Sequence, residues 1–114
     1  MSFDERLQNE RLDRLFEAIM TLESLEEFYR FFEDLCTVTE LHTMAQRFYA
    51  AELLANGATY AEIADKTGMS SATISRIKRF LYYGAEGYRL AIDRLRQREA
   101  ASEESEDDSR SRFE

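Results

Sequence analysis

Ahead of four apolar runs a hydroxyl residue is followed three positions later by glutamate: Ser2 and Glu5, Ser24 and Glu27, Thr37 and Glu40, Thr59 and Glu62. In such a pair the hydroxyl accepts from the third helical amide, and the carboxylate reaches back to the capping residue's own amide. Each pair precedes a run in which apolar residues recur at three- and four-residue spacing, the period of a helix with one buried face. The chain has no proline to interrupt these runs and only four glycines. Together these features predict an all-α protein of about six helices, over roughly residues 3–21, 25–35, 38–55, 60–67, 71–83 and 85–99.

Within this frame the apolar side chains fall into distinct groups. Leu12, Leu15, Phe16, Ile19, Met20 and Leu22 form a wide stripe on the first helix. The second, "LEEFYRFFEDL", carries Leu25, Phe28, Tyr29, Phe31, Phe32 and Leu35, an aromatic density above what one small monomer needs. A chain of 114 residues buries only a modest core alone, so an intertwined dimer competes with an ordinary monomeric core as the explanation. Gly57 is placed to end the third helix in the left-handed conformation, and Gly84 and Gly87 punctuate the start of the last. Residues 99–114, rich in serine and acid and without an apolar period, are expected to form a disordered, solubilising tail. Residues 1–98 are then the folded domain.

Charge and composition bound the function. The formal net charge is −8, but it is unevenly spread. Residues 1–55 carry −7 and residues 99–114 carry −5, whereas 56–83 and 84–98 each carry +2. A polyanionic partner is therefore allowed at the centre of the chain, where the local field decides contact. No apolar run approaches the length of a membrane span and the N-terminal residues are charged, so a soluble, cytoplasmic protein without a membrane partner is expected. The single cysteine, Cys36, and single histidine, His42, form no metal-ligand pattern, and no nucleophile, base and acid share a recognisable spacing. Neither an enzyme nor a cofactor is expected. Cys36 reads as a small core residue and His42 as a helix-surface residue.

The segment "YAEIADKTGMSSATISRIKRFL", at about 60–83, has the spacing of a helix-turn-helix. Ala64 is small where two helices cross, Gly68 lies four residues later in the turn, and Ile63, Met69, Ile74 and Ile77 supply a shared core. Glycine suits that turn because it requires a positive φ. At about 100° per residue, Ile74, Ile77 and Leu81 fall on one stripe of the second helix, and Ala72, Ser75, Arg76, Arg79 and Tyr83 fall on the other. Small residues at its N-terminal end let such a helix enter a major groove about 12 Å wide. Ser70 and Ser71, with the first-turn amides, are placed for phosphate. Ala72 suits a thymine methyl, and Thr73 beside it is also expected to be a DNA-binding residue. Ser75 suits a base edge, Arg76 and Arg79 suit guanine or phosphate, and Lys78 on the flank suits phosphate. Tyr82, Tyr83 and Tyr88 are expected to bridge the last helix to the core, with stacking on sugars or bases as the alternative. Arg89, Arg94, Arg96 and Arg98 give that helix a basic bias.

The stretch from Leu35 to about Leu95, through "FFEDLCTVTEL", "AQRFYAAELLANGATYAEIADKTG" and "SSATISRIKRFLYYG", resembles the Trp repressor superfamily, above all its YerC/YecD-type Trp-repressor-like members. The resemblance implies an intertwined homodimer whose two helix-turn-helix units read a palindromic operator in double-stranded DNA as a transcriptional regulator, repressing by occlusion. It also implies a comparison with the repressor's tryptophan site, where two arginines sandwich the indole. Arg76 matches the second arginine; Arg47 matches the first if a gap follows it, and otherwise Gln46 falls there. Ile77 stands where the repressor has a glycine that leaves room for the ligand, and Phe80 where it has a serine. The expectation is a protein that does not use tryptophan as corepressor. A protein-interaction module of sigma-factor-like descent, with the acidic tail recruiting the partner, is the alternative reading.

Overall fold

The computed structural model describes the backbone of residues 4–111 and the side chains of residues 4–106. A single 3-10 turn at Glu5–Leu7 precedes six helices: α1 (Glu10–Met20), α2 (Leu25–Leu35), α3 (Val38–Ala55), α4 (Tyr60–Thr67), α5 (Ser71–Tyr83) and α6 (Gly87–Ser111). All the regular structure among the described residues is helical.

The caps explain where most helices begin. Thr37 and Thr59 form complete reciprocal caps. The Glu40 amide donates to Thr37 Oγ1 at 3.1 Å while the Thr37 amide donates to Glu40 Oε1 at 3.0 Å. For Thr59 and Glu62 the corresponding distances are 3.2 and 3.3 Å. These bonds, from the Thr37 amide foremost, hold the Glu40 carboxyl below its ordinary value. Ser24 caps α2 through the Glu27 amide, but Glu27 Oε1 accepts from the amide of Glu23 at 2.8 Å, so the pair is one residue out of reciprocity. The expected cap at Ser2 lies outside the described residues.

Two helix limits differ from the expectation. The first helix does not run from residue 3. Asp4 caps the 3-10 turn and bonds the Arg6 side chain, and Asn9 then starts a new helix, its Oδ1 accepting from the Leu12 amide at 2.8 Å. Short polar side chains that bond their own backbone compete with helix propagation, which the apolar period alone does not report. The last helix starts at Gly87 and continues to Ser111, past the limit of residue 99 expected for it. The helical segment at 100–111 is built from Ala, Glu, Ser, Asp and one Arg, without glycine or proline, so once α6 is nucleated nothing in its backbone stops it.

The core is small and apolar. It consists of Ala50, Ala51 and Leu54 of α3, Ile63 of α4, Ile74, Ile77 and Leu81 of α5, and Ile92 of α6. Ala50 and Ala51 are fully covered, and their small side chains let α4 and α5 close onto α3. At the C-terminus of α3, Gly57 takes φ 88°. Its amide donates to the Leu54 carbonyl and the Ala58 amide to the Leu53 carbonyl, both at 3.0 Å. These paired bonds turn the chain sharply into α4. Phe48 meets Tyr88 with ring centroids 6.4 Å apart, and Arg96 donates to Asn56 Oδ1 at 2.6 Å, tying α6 to α3.

Helices α1 and α2 contribute nothing to this core. Met20, Leu25 and Tyr29 are 76%, 74% and 71% exposed. The aromatic rings of α2 pack mainly on one another, Phe31 edge-on to Phe32 at 5.5 Å and Phe28 parallel to Phe32 at 6.3 Å. The radius of gyration is 17.4 Å, against about 13 Å for a globular domain of this length. The N-terminal helices thus extend away from the body and leave a large apolar surface uncovered. Cys36, at the C-terminus of α2, is half-buried, short of the core position expected for it; His42 is exposed on α3.

Candidate nucleic-acid interface

The α4–α5 unit is a three-residue turn between two short helices. Gly68 closes α4 at φ 74°, its amide donating to the Ala64 carbonyl at 2.8 Å. The turn is held from inside by Thr67, whose hydroxyl donates to the Ile63 carbonyl at 2.7 Å and accepts from the Met69 amide at 3.2 Å. Ile63 and Ile74 are completely buried, Ile77 nearly so, and Met69 packs half-buried against them. These are the positions expected from the spacing. Their packing fixes the rotation of α5 about its axis, which decides what it presents outward.

Ser70 is the cap of α5. Its Oγ accepts from the Thr73 amide at 3.2 Å and its hydroxyl donates to Thr73 Oγ1 at 3.0 Å. Thr73 is consequently half-buried and engaged with the cap, unlike the other candidates. The amides of Ser71 and Ala72, one turn from any intrahelical acceptor, are the donors left at this helix end. Ala72, Ser75, Arg76 and Arg79 line a single shallow concavity on the outside of α5. All four are exposed. Lys78 stands to one side, its Nζ 5.6 Å from the centre of the Tyr60 ring, so it links α5 to α4 while remaining exposed. The Arg79 guanidinium lies 5.8 Å from the Phe80 ring. The result is a convex helix end with small side chains at its tip, two guanidinium groups behind them and an ammonium group on the flank. Such an arrangement fits a groove lined by phosphates, and no carboxylate lies in the concavity to oppose it.

The residues matched to the tryptophan site do not converge within one chain. Arg47 opens onto a groove with Thr37, Glu40 and Met44, Gln46 onto another with His42 and Tyr49, and Arg76 onto the α5 concavity. Ile77 is only 4% exposed, because its side chain belongs to the helix-turn-helix core.

The tyrosines divide in a way the sequence pattern did not foretell. Tyr88 is half-buried against Phe48 as expected, and Tyr82 lies against the Arg89 guanidinium at 5.6 Å. Tyr83 bridges nothing; it is 87% exposed at the last turn of α5. Its position on the outer stripe was the available signal. No His, Cys, Asp and Glu cluster among the described residues is suited to a metal ion, and no helix among them is long and apolar enough to cross a membrane.

Known proteins share this arrangement. YerC of Bacillus subtilis (strain 168) is 48% identical over 98 residues, covering 86% of this chain and 94% of its own. A crystal structure of a Trp repressor candidate from Staphylococcus aureus superposes with a TM-score of 0.77 at 47% identity, over 83% of this chain and 96% of that one. A TrpR-like protein from Eubacterium eligens ATCC 27750 gives the same TM-score at 46% identity, over 81% and 95%. The family model of the Trp repressor protein matches residues 10–96, from the start of α1 to the middle of α6, and the chain belongs to that family of helix-turn-helix DNA-binding regulators.

Proposed function

We propose that this chain is a homodimeric, sequence-specific transcriptional regulator in the cytoplasm that reads a palindromic DNA operator and represses by occluding it. The observation that carries this reading is the outer stripe of α5: a packed inner face fixes its rotation, and small, hydroxyl and basic side chains alone line its concavity. Ala72 and Ser75 contact base edges, and Arg76 and Arg79 bind guanine or phosphate. Ser70, Ser71 and Lys78 hold the backbone. Thr73 acts through the cap that orders the first turn. Residues 1–98 serve as the DNA-binding domain.

The exposed apolar faces of α1 and α2 support dimerisation, since a second copy offers them the matching surface. Two copies related by a two-fold axis place their recognition helices in successive major grooves about 34 Å apart. Tryptophan is not the corepressor in this reading. Ile77 occupies the helix-turn-helix core, and Phe80 adds a half-exposed ring where the repressor's ligand needs space.

Selection of sites from random duplex DNA, followed by anisotropy titration at two salt concentrations, tests the proposal. A palindrome bound tightly and with a steep logarithmic dependence on salt is expected. No enrichment, with the whole chain and again with residues 1–98, transfers the assignment to protein recognition, for which an apolar interface has little salt dependence.

A further inference from the structure

Tyr83 is the one large side chain on the outer stripe of α5 for which neither the fold nor the proposed base contacts provides a role. Its two neighbours in the tyrosine cluster are occupied, Tyr88 against Phe48 and Tyr82 against Arg89. Tyr83 itself is 87% exposed. It follows Arg79 by one turn and Ser75 by two, which puts it on the DNA-facing side and about 6 Å beyond Arg79 along the axis. When the first turns of a recognition helix meet base edges, its later turns lie towards the rim of the groove, where the sugar-phosphate backbone runs.

Resting on the DNA-binding reading above, we propose that Tyr83 is a further DNA contact, its phenolic hydroxyl donating to a backbone phosphate at the edge of the operator half-site. Such a contact differs in kind from those of the arginines. A phenol is a neutral donor, so it bonds phosphate without displacing a condensed counterion. It fixes the tilt of α5 in the groove and favours no base directly.

That difference gives a distinctive test. The whole chain and its Tyr83→Phe, Tyr83→Ala and Arg79→Ala variants are titrated by anisotropy against the selected operator duplex over a series of salt concentrations, with mass measured by light scattering. Tyr83→Phe should weaken binding by roughly tenfold per half-site and about a hundredfold for the dimer, the scale of one hydrogen bond to a charged acceptor lost in each copy, with the logarithmic salt slope unchanged. Tyr83→Ala should be at least as weak, and Arg79→Ala, which removes one cation from each half-site, should lower the slope by about two. The exposure of Tyr83 keeps both substitutions clear of the core, so an unchanged mass is expected. Tyr83→Phe binding like the unsubstituted protein overturns the phosphate contact, whether or not Tyr83→Ala is weaker. A loss of binding that tracks a loss of dimer mass assigns the residue to self-association and overturns it as well. If the unsubstituted protein binds no duplex at any salt concentration, the DNA-binding reading itself fails and takes this contact with it, a result distinct from either of the others.

Discussion

Helices α1 and α2 are rich in large apolar side chains and bury none of them, whereas α4 and α5, of similar apolar content, bury Ile63, Ile74, Ile77 and Leu81. Both pairs are amphipathic, so the difference lies in what faces them. The inner faces of α4 and α5 meet α3 at Ala50, Ala51 and Leu54, where small side chains allow close approach and isoleucines fill the remaining space. The apolar faces of α1 and α2 bury no residue and stand largely exposed. Apolar content therefore marks a surface that must be covered, and the position of the helix decides whether the cover belongs to the same chain.

That contrast can be broken in order of expected effect. Ile63→Ala removes a fully buried side chain from the closed half and should destabilise the fold by about 3 kcal/mol in chemical denaturation. A loss under about 1 kcal/mol there would mean that the core collapses around the gap. In the open half, Leu25→Glu with Tyr29→Glu should leave each chain folded and weaken self-association by at least roughly a hundredfold, because charges would enter an apolar interface. Light scattering across a dilution series reads the effect, and an unchanged dimer would show that these residues face solvent in the assembly. Arg79→Ala should leave both halves and the dimer intact while weakening operator binding by about 10- to 100-fold per half-site, the range of one well-placed contact in each copy. Equal binding at low salt would remove Arg79 from the interface.

The smallest effect concerns the cap of α3. The folded state holds the Glu40 carboxyl below its ordinary value through the Thr37 amide and hydroxyl. With the folded value depressed, the cap's contribution is present above the unfolded value and is lost as pH falls through the folded one. A carboxyl-detected NMR titration should place Glu40 below the usual carboxylate range, and Thr37→Ala should move it upward. No movement would assign the shift to the Thr37 amide, which the substitution leaves in place.

Much of this fold was legible because its signals are local. The reciprocal caps at Thr37 and Thr59 need only residues three apart, and Gly57 and Gly68 take positive φ where the chain must turn. The buried trio Ile74, Ile77 and Leu81 follows from helical period, and with it the outward stripe of Ala72, Ser75, Arg76 and Arg79. Other features escaped that kind of reading. The break before α1 depends on which of several polar side chains captures the backbone, at Asp4 and again at Asn9. The length of α6 depends on a nucleus set by Ile92 and Tyr88 packing on α3, from which an acidic segment without an apolar stripe can still propagate.

The sequence by itself therefore determined the helical class, most helix starts, the turn of the helix-turn-helix and the face it turns outward, since each rests on interactions within a few residues. Only the tertiary structure decided which apolar faces find cover. It buried Ile77 in the core, turned Thr73 into part of a cap, separated Tyr83 from Tyr82 and Tyr88, and left α1 and α2 without a partner in the chain. Those outcomes depend on the distance and angle at which one helix meets another, and contacts between residues far apart in the chain set both.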